Sequence, residues 1–376
     1  MRPYWYNLFR RLQGLEDSGP PPNIVVTAGA AVASWFYGLG AGFRRTLYTG
    51  GIFKAKRLPV PVISVGNLTV GGVGKTPVVA CLARYWRDRG KRLVILSRGY
   101  GGRSRGVTRL SDGERLYHQP PEVGEEPYWL ARVLPGVSVY TGPSRYVAGL
   151  AAWEDCKPHL FLLDDGFQHF QLYRDLDLVL LDAAAPFGNL HLLPWGPLRE
   201  SPHILSLAQV IILTRFEPEL HQPRLSGLKK AFPDQTVLTA TILPVRAVSY
   251  PGEHPEPLQA LRHCALMAFA GLARPQVFAK TLQELEVDLK GFRIFPDHHN
   301  YSPQELHDLA EAARAAGAEA LITTSKDWAR LQEPWDEPLP LWVLEVEARL
   351  GGIERPLESL TRIFREKLIA DSLTFR

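Results

Sequence analysis

The chemistry this chain is equipped for is concentrated in one stretch, Gly66-Asn-Leu-Thr-Val-Gly-Gly-Val-Gly-Lys-Thr-Pro. Glycines at 71, 72 and 74 let backbone N–H groups turn inward and wrap a β-phosphate, Lys75 is spaced to reach the β- and γ-phosphates, and the Thr76 hydroxyl to ligate Mg²⁺. The loop is expected to hold ATP and Mg²⁺ through Thr69, Val70, Gly71, Gly72, Val73, Gly74, Lys75 and Thr76. One position departs from the G-x-x-x-x-G-K-[ST] pattern, which asks for glycine where this chain has Thr69. A phosphate loop of this kind needs an Asp closing a neighbouring strand to hold the metal or its water. His159-Leu-Phe-Leu-Leu-Asp-Asp-Gly supplies Asp164 and Asp165 at the end of an apolar run, where two adjacent carboxylates demand a cation or hydrogen-bond donors. Taken alone the pair also fits a structural Asp-Gly turn, and which of the two touches the metal stays open.

These residues need particular elements around them. Pro61-Val-Ile-Ser-Val-Gly reads as a buried strand running into the loop, and the pattern from about Pro77 to Arg89, closed by Gly90, reads as the helix leaving it. Short apolar runs at 92–97, 137–140, 159–163, 176–181 and 210–213 alternate with helical stretches. That alternation predicts an α/β doubly wound lobe of the P-loop NTPase kind, with a mainly parallel sheet covered on both faces. From 216 to 258 prolines punctuate one extended stretch, 236–248, and a smaller alternation follows: runs at 265–269, 289–295 and 320–324, a helix near 276–286, and a helix from Pro303 to Ala316 capped by Ser302. The expected division is therefore an N-terminal helical segment at 1–57, a P-loop lobe at 58–235, and a smaller α/β lobe at 236–376 that closes over the nucleotide.

Composition limits the class of protein. With 22% charged and 45% hydrophobic residues the 376-residue chain reads as folded and large enough for two lobes, and a net charge of +4 is too small to indicate nucleic acid as a partner. Three cysteines, widely separated, encode neither a disulfide framework nor a zinc site, which fits a reducing cytosol. The run Ile24 to Phe43 carries no charge over 20 residues and has basic residues on both flanks, but five of the twenty are Ala and four are Gly. It is long enough to span a bilayer yet weakly apolar, so the expectation is a helix lying on the cytoplasmic leaflet of a membrane with its basic flanks toward anionic head groups. The competing reading is an ordinary buried helix of the first lobe.

Several stretches together resemble one family, the tetraacyldisaccharide 4'-kinases of lipid A biosynthesis: Leu58-Pro-Val-Pro-Val-Ile-Ser-Val-Gly-Asn-Leu-Thr-Val-Gly-Gly-Val-Gly-Lys-Thr-Pro, Ser97-Arg-Gly-Tyr-Gly-Gly, Val123-Gly-Glu-Glu-Pro, Asp164-Asp-Gly-Phe-Gln-His, Pro296-Asp-His-His-Asn-Tyr and Thr324-Ser-Lys-Asp. The resemblance covers most of the chain, and the loop variant with Thr69 belongs to it. It implies a peripheral or monotopic enzyme on the cytoplasmic face of the inner membrane that moves the γ-phosphoryl of ATP to the 4'-hydroxyl of a tetraacylated glucosamine disaccharide 1-phosphate, with no obligate protein partner. It also implies a catalytic group at Glu125, where the family motif has Asp, supported by His298, with Lys75 and Asp165 beside them. Position 299 is histidine too, and the sequence does not separate it from His298. Gln168, His169, Arg98 and Arg103 are expected to meet the acceptor, and Lys326 and Asp327 the nucleotide. The rival class is a P-loop GTPase or ATPase switch with no lipid acceptor, for which Thr324-Ser-Lys-Asp only partly imitates a base-reading segment.

Overall fold

The structure is a computed structural model that describes residues 24–331, 335–352 and 355–374. Its first element, α1 (Ile24–Thr49), is followed by β1 (Val62–Asn67), α2 (Lys75–Arg87), β2 (Leu93–Ser97), β3 (Thr108–Ser111), α3 (Pro120–Val123), α4 (Glu125–Val133) and β4 (Ser138–Thr141). Then come α5 (Arg145–Cys156), β5 (Leu160–Asp164), β6 (Leu176–Asp182), β7 (Val210–Thr214), α6 (Pro218–Ala231), β8 (Thr236–Tyr250), β9 (His254–Glu256) and β10 (Ala265–Ala270). The chain ends with α7 (Pro275–Glu284), β11 (Asp288–Ile294), α8 (Pro303–Ala315), β12 (Ala320–Thr324), α9 (Ser325–Trp328), β13 (Leu341–Gly351) and α10 (Pro356–Thr374).

Every residue of β1, β2, β5, β6 and β7 is buried, as apolar runs covered by helices on both faces must be. Their order, β7-β6-β1-β5-β2-β4, puts the strand that feeds the phosphate loop at the centre, with all five contacts between neighbours parallel. Side chains from α2 and these strands form one core, including Ile63, Val65, Val79, Leu82, Ile95 and Leu162.

The expected strand at 236–248 is β8, and it joins the two halves. Its first residues pair parallel with β7, and the stretch from Thr239 to Tyr250 pairs antiparallel with β13, so a single sheet runs on through β12, β10 and β11. The sequence reading passed over β13, although Leu344-Glu-Val-Glu-Ala-Arg-Leu alternates apolar and polar residues at the period of a strand. The return of the chain through β13 places α10 on the first lobe: Leu360 and Phe364 join the core of α2, the Phe364 ring meets Trp86, and Arg84 pairs with Glu347 at 2.7 Å. By packing, the last segment of the expected 236–376 lobe thus lies with the first. Ser302 caps α8 as expected, and Glu305 returns a bond to the Ser302 backbone, which completes a capping box.

Helix α1 is not a core helix. It touches the first lobe along one stripe, where Ser34 donates to the Leu192 carbonyl at 2.9 Å, Arg45 pairs with Glu200 at 3.1 Å, and Tyr48 stacks on Phe170. The opposite stripe is bare: Val32, Trp35, Phe36, Leu39 and Phe43 recur at helical spacing and are between 52% and 68% exposed. The helix is long and apolar enough to cross a membrane by length and composition. The reading of this run as an ordinary buried helix therefore falls, because there is no protein over that face among the described residues.

Candidate active site

The loop between β1 and α2 is held open by its surroundings. Thr69 bridges to Leu198, the Val70 N–H donates to the Pro197 carbonyl at 2.8 Å, and Thr214 at the end of β7 donates to the Val73 carbonyl at 2.7 Å. Gly74 has φ 81, in the left-handed region that favours glycine, and a Cβ there would meet the movable end of the Ile242 side chain of β8. Gly71 and Gly72 face solvent, and a Cβ added at either would meet nothing within 4 Å.

Lys75 and the Asp pair meet as the sequence expects. The Lys75 ammonium is 2.7 Å from Asp165 and 3.1 Å from the Asn67 side-chain oxygen, and Arg199 reaches both Asp165 oxygens at 2.9 and 3.0 Å. Burial raises the Asp165 carboxyl, but Lys75 and Arg199 outweigh it and hold the group well below the usual carboxylate range. Asp164 is different. It is wholly buried, takes a 3.3 Å bond from Ser97 on one oxygen, and leaves the other without a partner. Burial, with Glu126 adding to it, pushes its carboxyl up to about 7. An orphaned buried oxygen at the end of the strand next to β1 fits Mg²⁺ bound mostly by water and phosphate, and no cluster of three or more His, Cys, Asp or Glu side chains suited to a metal occurs among the described residues. Of the two carboxylates, Asp164 is the one with an oxygen left without a partner.

Gly124 turns the chain at φ 88 where a Cβ would collide with the Tyr100 carbonyl, and α4 begins at once with Glu125 and Glu126. Both carboxylates stand in the first turn, where the helix dipole favours negative charge. Glu125 reaches the second lobe: its carboxylate is 3.2 Å from His298 Nδ1 and 2.6 Å from Arg330 Nε. Burial raises the Glu125 carboxyl, and His298 and Arg330 lower it by more. Glu126 is 3.5 Å from Lys326, and burial against the attraction of Lys326 and Lys75 leaves it below its ordinary value. His299 points elsewhere, pairing with Glu305 at 3.1 Å and stacking on Phe295. Geometry therefore brings His298, and not His299, to the carboxylate.

Asp327 needs correcting. Its side chain is fully buried, with oxygens taking bonds from the Gly271 N–H, Tyr301, Thr324 and Arg330, so it has nothing left to offer a nucleotide. Lys326, its neighbour, lies 3.5 Å from Glu126 of the first lobe.

Of the residues expected to meet the acceptor, Gln168 donates to the Asn67 carbonyl at 3.0 Å and keeps a buried oxygen unpaired, as His169 keeps a buried Nε2. Burial, then Arg145, Arg174, Arg44 and Arg98, drive the His169 imidazole down to about 4, so it is neutral in a strongly cationic setting. Arg145 is buried with its Nε unpaired, and a cleft of about 240 Å³ opens beside it between Arg98, Gly99, Tyr100, Ser104, Arg105 and Pro143. Arg103 is exposed on the same loop, its backbone N–H tied to Pro121. Arg109 turns away to Asp112. Sequence reasoning missed Arg145, Arg199 and Arg330.

The decisive observation comes from comparison with known proteins. A profile of the tetraacyldisaccharide-1-P 4'-kinase family matches residues 28–365, a span that includes the loop, both carboxylate pairs, His298 and Arg330. The chain belongs to that family. It is 44% identical over 308 residues to a tetraacyldisaccharide 4'-kinase of Geobacter metallireducens, covering 82% of this chain and 89% of the relative. A second relative of the same name, from Geobacter sulfurreducens, is 39% identical over 342 residues, covering 91% and 94%. The crystal structure of LpxK from Aquifex aeolicus in complex with ATP superposes with a TM-score of 0.75 at 34% identity, covering 90% of this chain and 99% of that one. Family membership removes the switch reading: the loop serves a kinase.

Proposed function

We propose that this kinase works by the following division of labour, with the γ-phosphoryl of ATP passing to the 4'-hydroxyl of a tetraacylated glucosamine disaccharide 1-phosphate. The loop N–H groups and Lys75 bind the β- and γ-phosphates, and Thr76 and Asp164 hold Mg²⁺, which would neutralise charge on the phosphate oxygens. Asp165 and Asn67 keep Lys75 aimed, and Arg199 keeps Asp165 ionised. Glu125 takes the proton of the attacking hydroxyl as its oxygen bonds to the γ-phosphorus and the bond from that phosphorus to the β–γ bridging oxygen breaks, releasing ADP. His298 orients the carboxylate and shares the proton. The cationic surroundings of His169, with Arg98 and Arg145, suit the acceptor's anionic head, and Gln168 and His169 offer unpaired polar atoms to a sugar.

The observation that carries this reading is the meeting of Glu125 with His298 across the lobes, beside a Glu126 that feels Lys75. Helix α1 supports the membrane part. Its bare apolar stripe suits the cytoplasmic leaflet, and its docked end brings Arg44 and Arg45 to Phe170 and Glu200, next to the residues assigned to the acceptor.

The test is transfer of label from γ-labelled ATP to the tetraacyl disaccharide 1-phosphate in detergent micelles. The wild type is expected to label the lipid, and Glu125→Gln to lose about 10²- to 10⁴-fold in kcat while binding ATP normally. Wild-type kcat in Glu125→Gln would remove the base from this account. Lipid-independent ATP hydrolysis with no labelled lipid would remove the acceptor.

A further inference from the structure

Behind Glu125 stands a buried arginine. The Arg330 side chain is 1% exposed and sits just past α9 on the second lobe. One edge of its guanidinium is anchored there: Nη1 donates to the Gly271 carbonyl at 2.8 Å and lies 3.1 Å from Asp327 Oδ1. Asp327 is itself fixed, since the same oxygen takes the Gly271 N–H and the Tyr301 hydroxyl, each at 2.8 Å. The opposite side is turned to the first lobe, with Nε 2.6 Å from Glu125 in an ion pair whose N–H is not aligned as a hydrogen bond, and Nη2 3.5 Å from His298.

A purely structural arginine would need only one carboxylate to offset its burial, and Asp327, with no exposed surface, already provides it. The second carboxylate, Glu125, is brought from the other lobe at the cost of partial desolvation. A glutamate on the rim of a cleft has three side-chain torsions to restrict, and a misplacement of about 1 Å in a reacting group costs on the order of 10²-fold in rate. A fixed guanidinium supplies that restriction, whereas a half-exposed histidine alone does not.

We propose that Arg330 is a positioning residue for Glu125, clamping the base in one orientation when the second lobe meets the first. The inference rests on Glu125 being the proton acceptor. It makes the second lobe part of the catalytic apparatus through a residue that touches neither ATP nor lipid.

The experiment measures kcat, both KM values and the pH dependence of kcat for Arg330→Gln, Arg330→Lys, Glu125→Gln and the double variant Glu125→Gln/Arg330→Gln. Arg330→Gln is expected to lose about 10²-fold in kcat with KM for ATP within about threefold of wild type. Its acid limb is expected to move to higher pH, because the cation that favours ionised Glu125 is gone and His298 is left as the facing cationic group. Arg330→Lys, which keeps a charge at that place, is expected to recover at least about tenfold of the loss and to restore the acid limb. The double variant is expected to be no slower than Glu125→Gln by more than about twofold, since Arg330 acts through the residue already removed.

An Arg330→Gln enzyme with wild-type kcat and acid limb overturns the proposal, as does a full 10²-fold further loss in the Glu125→Gln background. Should Arg330→Gln fail to fold, Arg330→Lys decides alone, with a kcat about 3- to 10-fold below wild type expected and an unchanged kcat fatal. Glu125→Gln at wild-type kcat is a separate result, which refutes the base and with it the clamp, whereas an impaired Glu125→Gln beside a wild-type Arg330→Gln refutes the clamp alone.

Discussion

Asp164 and Asp165 make their contacts inside the first lobe, with Ser97, Lys75 and Arg199, whereas Glu125 and Glu126, which also belong to that lobe, find theirs in the second, with His298, Arg330 and Lys326. The first pair is set by the order of the parallel strands, because β5 and β1 are neighbours and their ends bring the Asp pair under the loop. The second pair is set by how the lobes meet. Nucleotide binding can therefore be built by the first lobe and β8, while proton transfer awaits the second lobe. The difference predicts that changes on the Asp side act on nucleotide affinity and turnover together, and changes on the Glu side on turnover alone.

Lys75→Ala should show the largest effect. It removes the cation that reaches the phosphates and leaves Asp165 with Arg199 only, so kcat/KM for ATP is expected to fall by about 10³-fold or more with weaker ATP binding. Glu125→Gln, measured beside it, should leave ATP affinity intact. If both variants lose affinity equally, the two pairs are one unit and the contrast fails.

Much of the Asp side was legible in the sequence, because phosphate binding demands glycines, a lysine and a threonine at fixed spacing on consecutive backbone positions. The Asp pair followed from its place after an apolar strand. The Glu side was legible only through likeness to a family, and its arginines were not legible at all. Arg330 and Glu125 are 205 positions apart in the chain, and nothing local marks an arginine that will be buried against a distant carboxylate. Asp327 was misread for the same reason: Lys326 and Asp327 are adjacent, but α9 turns one to the cleft and the other into the core. The long β13, by contrast, had a readable alternation, and with it the return of α10 to the first lobe.

Asp327→Ala sharpens the comparison next. It leaves Arg330 buried with Glu125 as its remaining carboxylate and strips Tyr301 and the Gly271 N–H of their acceptor, so a loss of about 3 kcal/mol in unfolding free energy is expected. Denaturant titration with ATP present and absent would locate that loss. A destabilised second lobe with ATP affinity unchanged supports the division, while an equal loss of ATP binding argues that the lobes fold and function as one.

A smaller effect is expected at the other seam. Asp182, at the end of β6 and almost fully buried, is held by Arg215 at 2.9 Å and by Arg274 of the second lobe at 2.6 Å. Arg215 also bonds the Gly72 carbonyl of the phosphate loop, so it ties loop and carboxylate together without the second lobe. Arg274→Ala should then lower kcat by about tenfold through looser docking of the lobes, with ATP affinity kept, and Arg215→Ala should weaken ATP binding as well. Identical behaviour of the two variants would deny that this seam separates loop from lobe.

The smallest effect concerns the Glu125–His298 contact and depends on pH. Glu125 has its pKa lowered from 4.5 on folding, so its share of stability is present above 4.5 and is lost as pH falls through the lower folded value. His298 has its pKa raised from 6.5, so its share is full below 6.5 and is lost as pH rises through the higher folded value. The two shares coincide between 4.5 and 6.5. Because His298 is 53% exposed, solvent screens the pair and the gain is expected to stay under about 1 kcal/mol. Thermal unfolding of wild type and His298→Asn from pH 4 to 8 should therefore give curves that lie furthest apart in that window and converge at both ends. A constant gap would mean that His298 contributes packing and not charge, and the task of holding Glu125 ionised would then fall to Arg330.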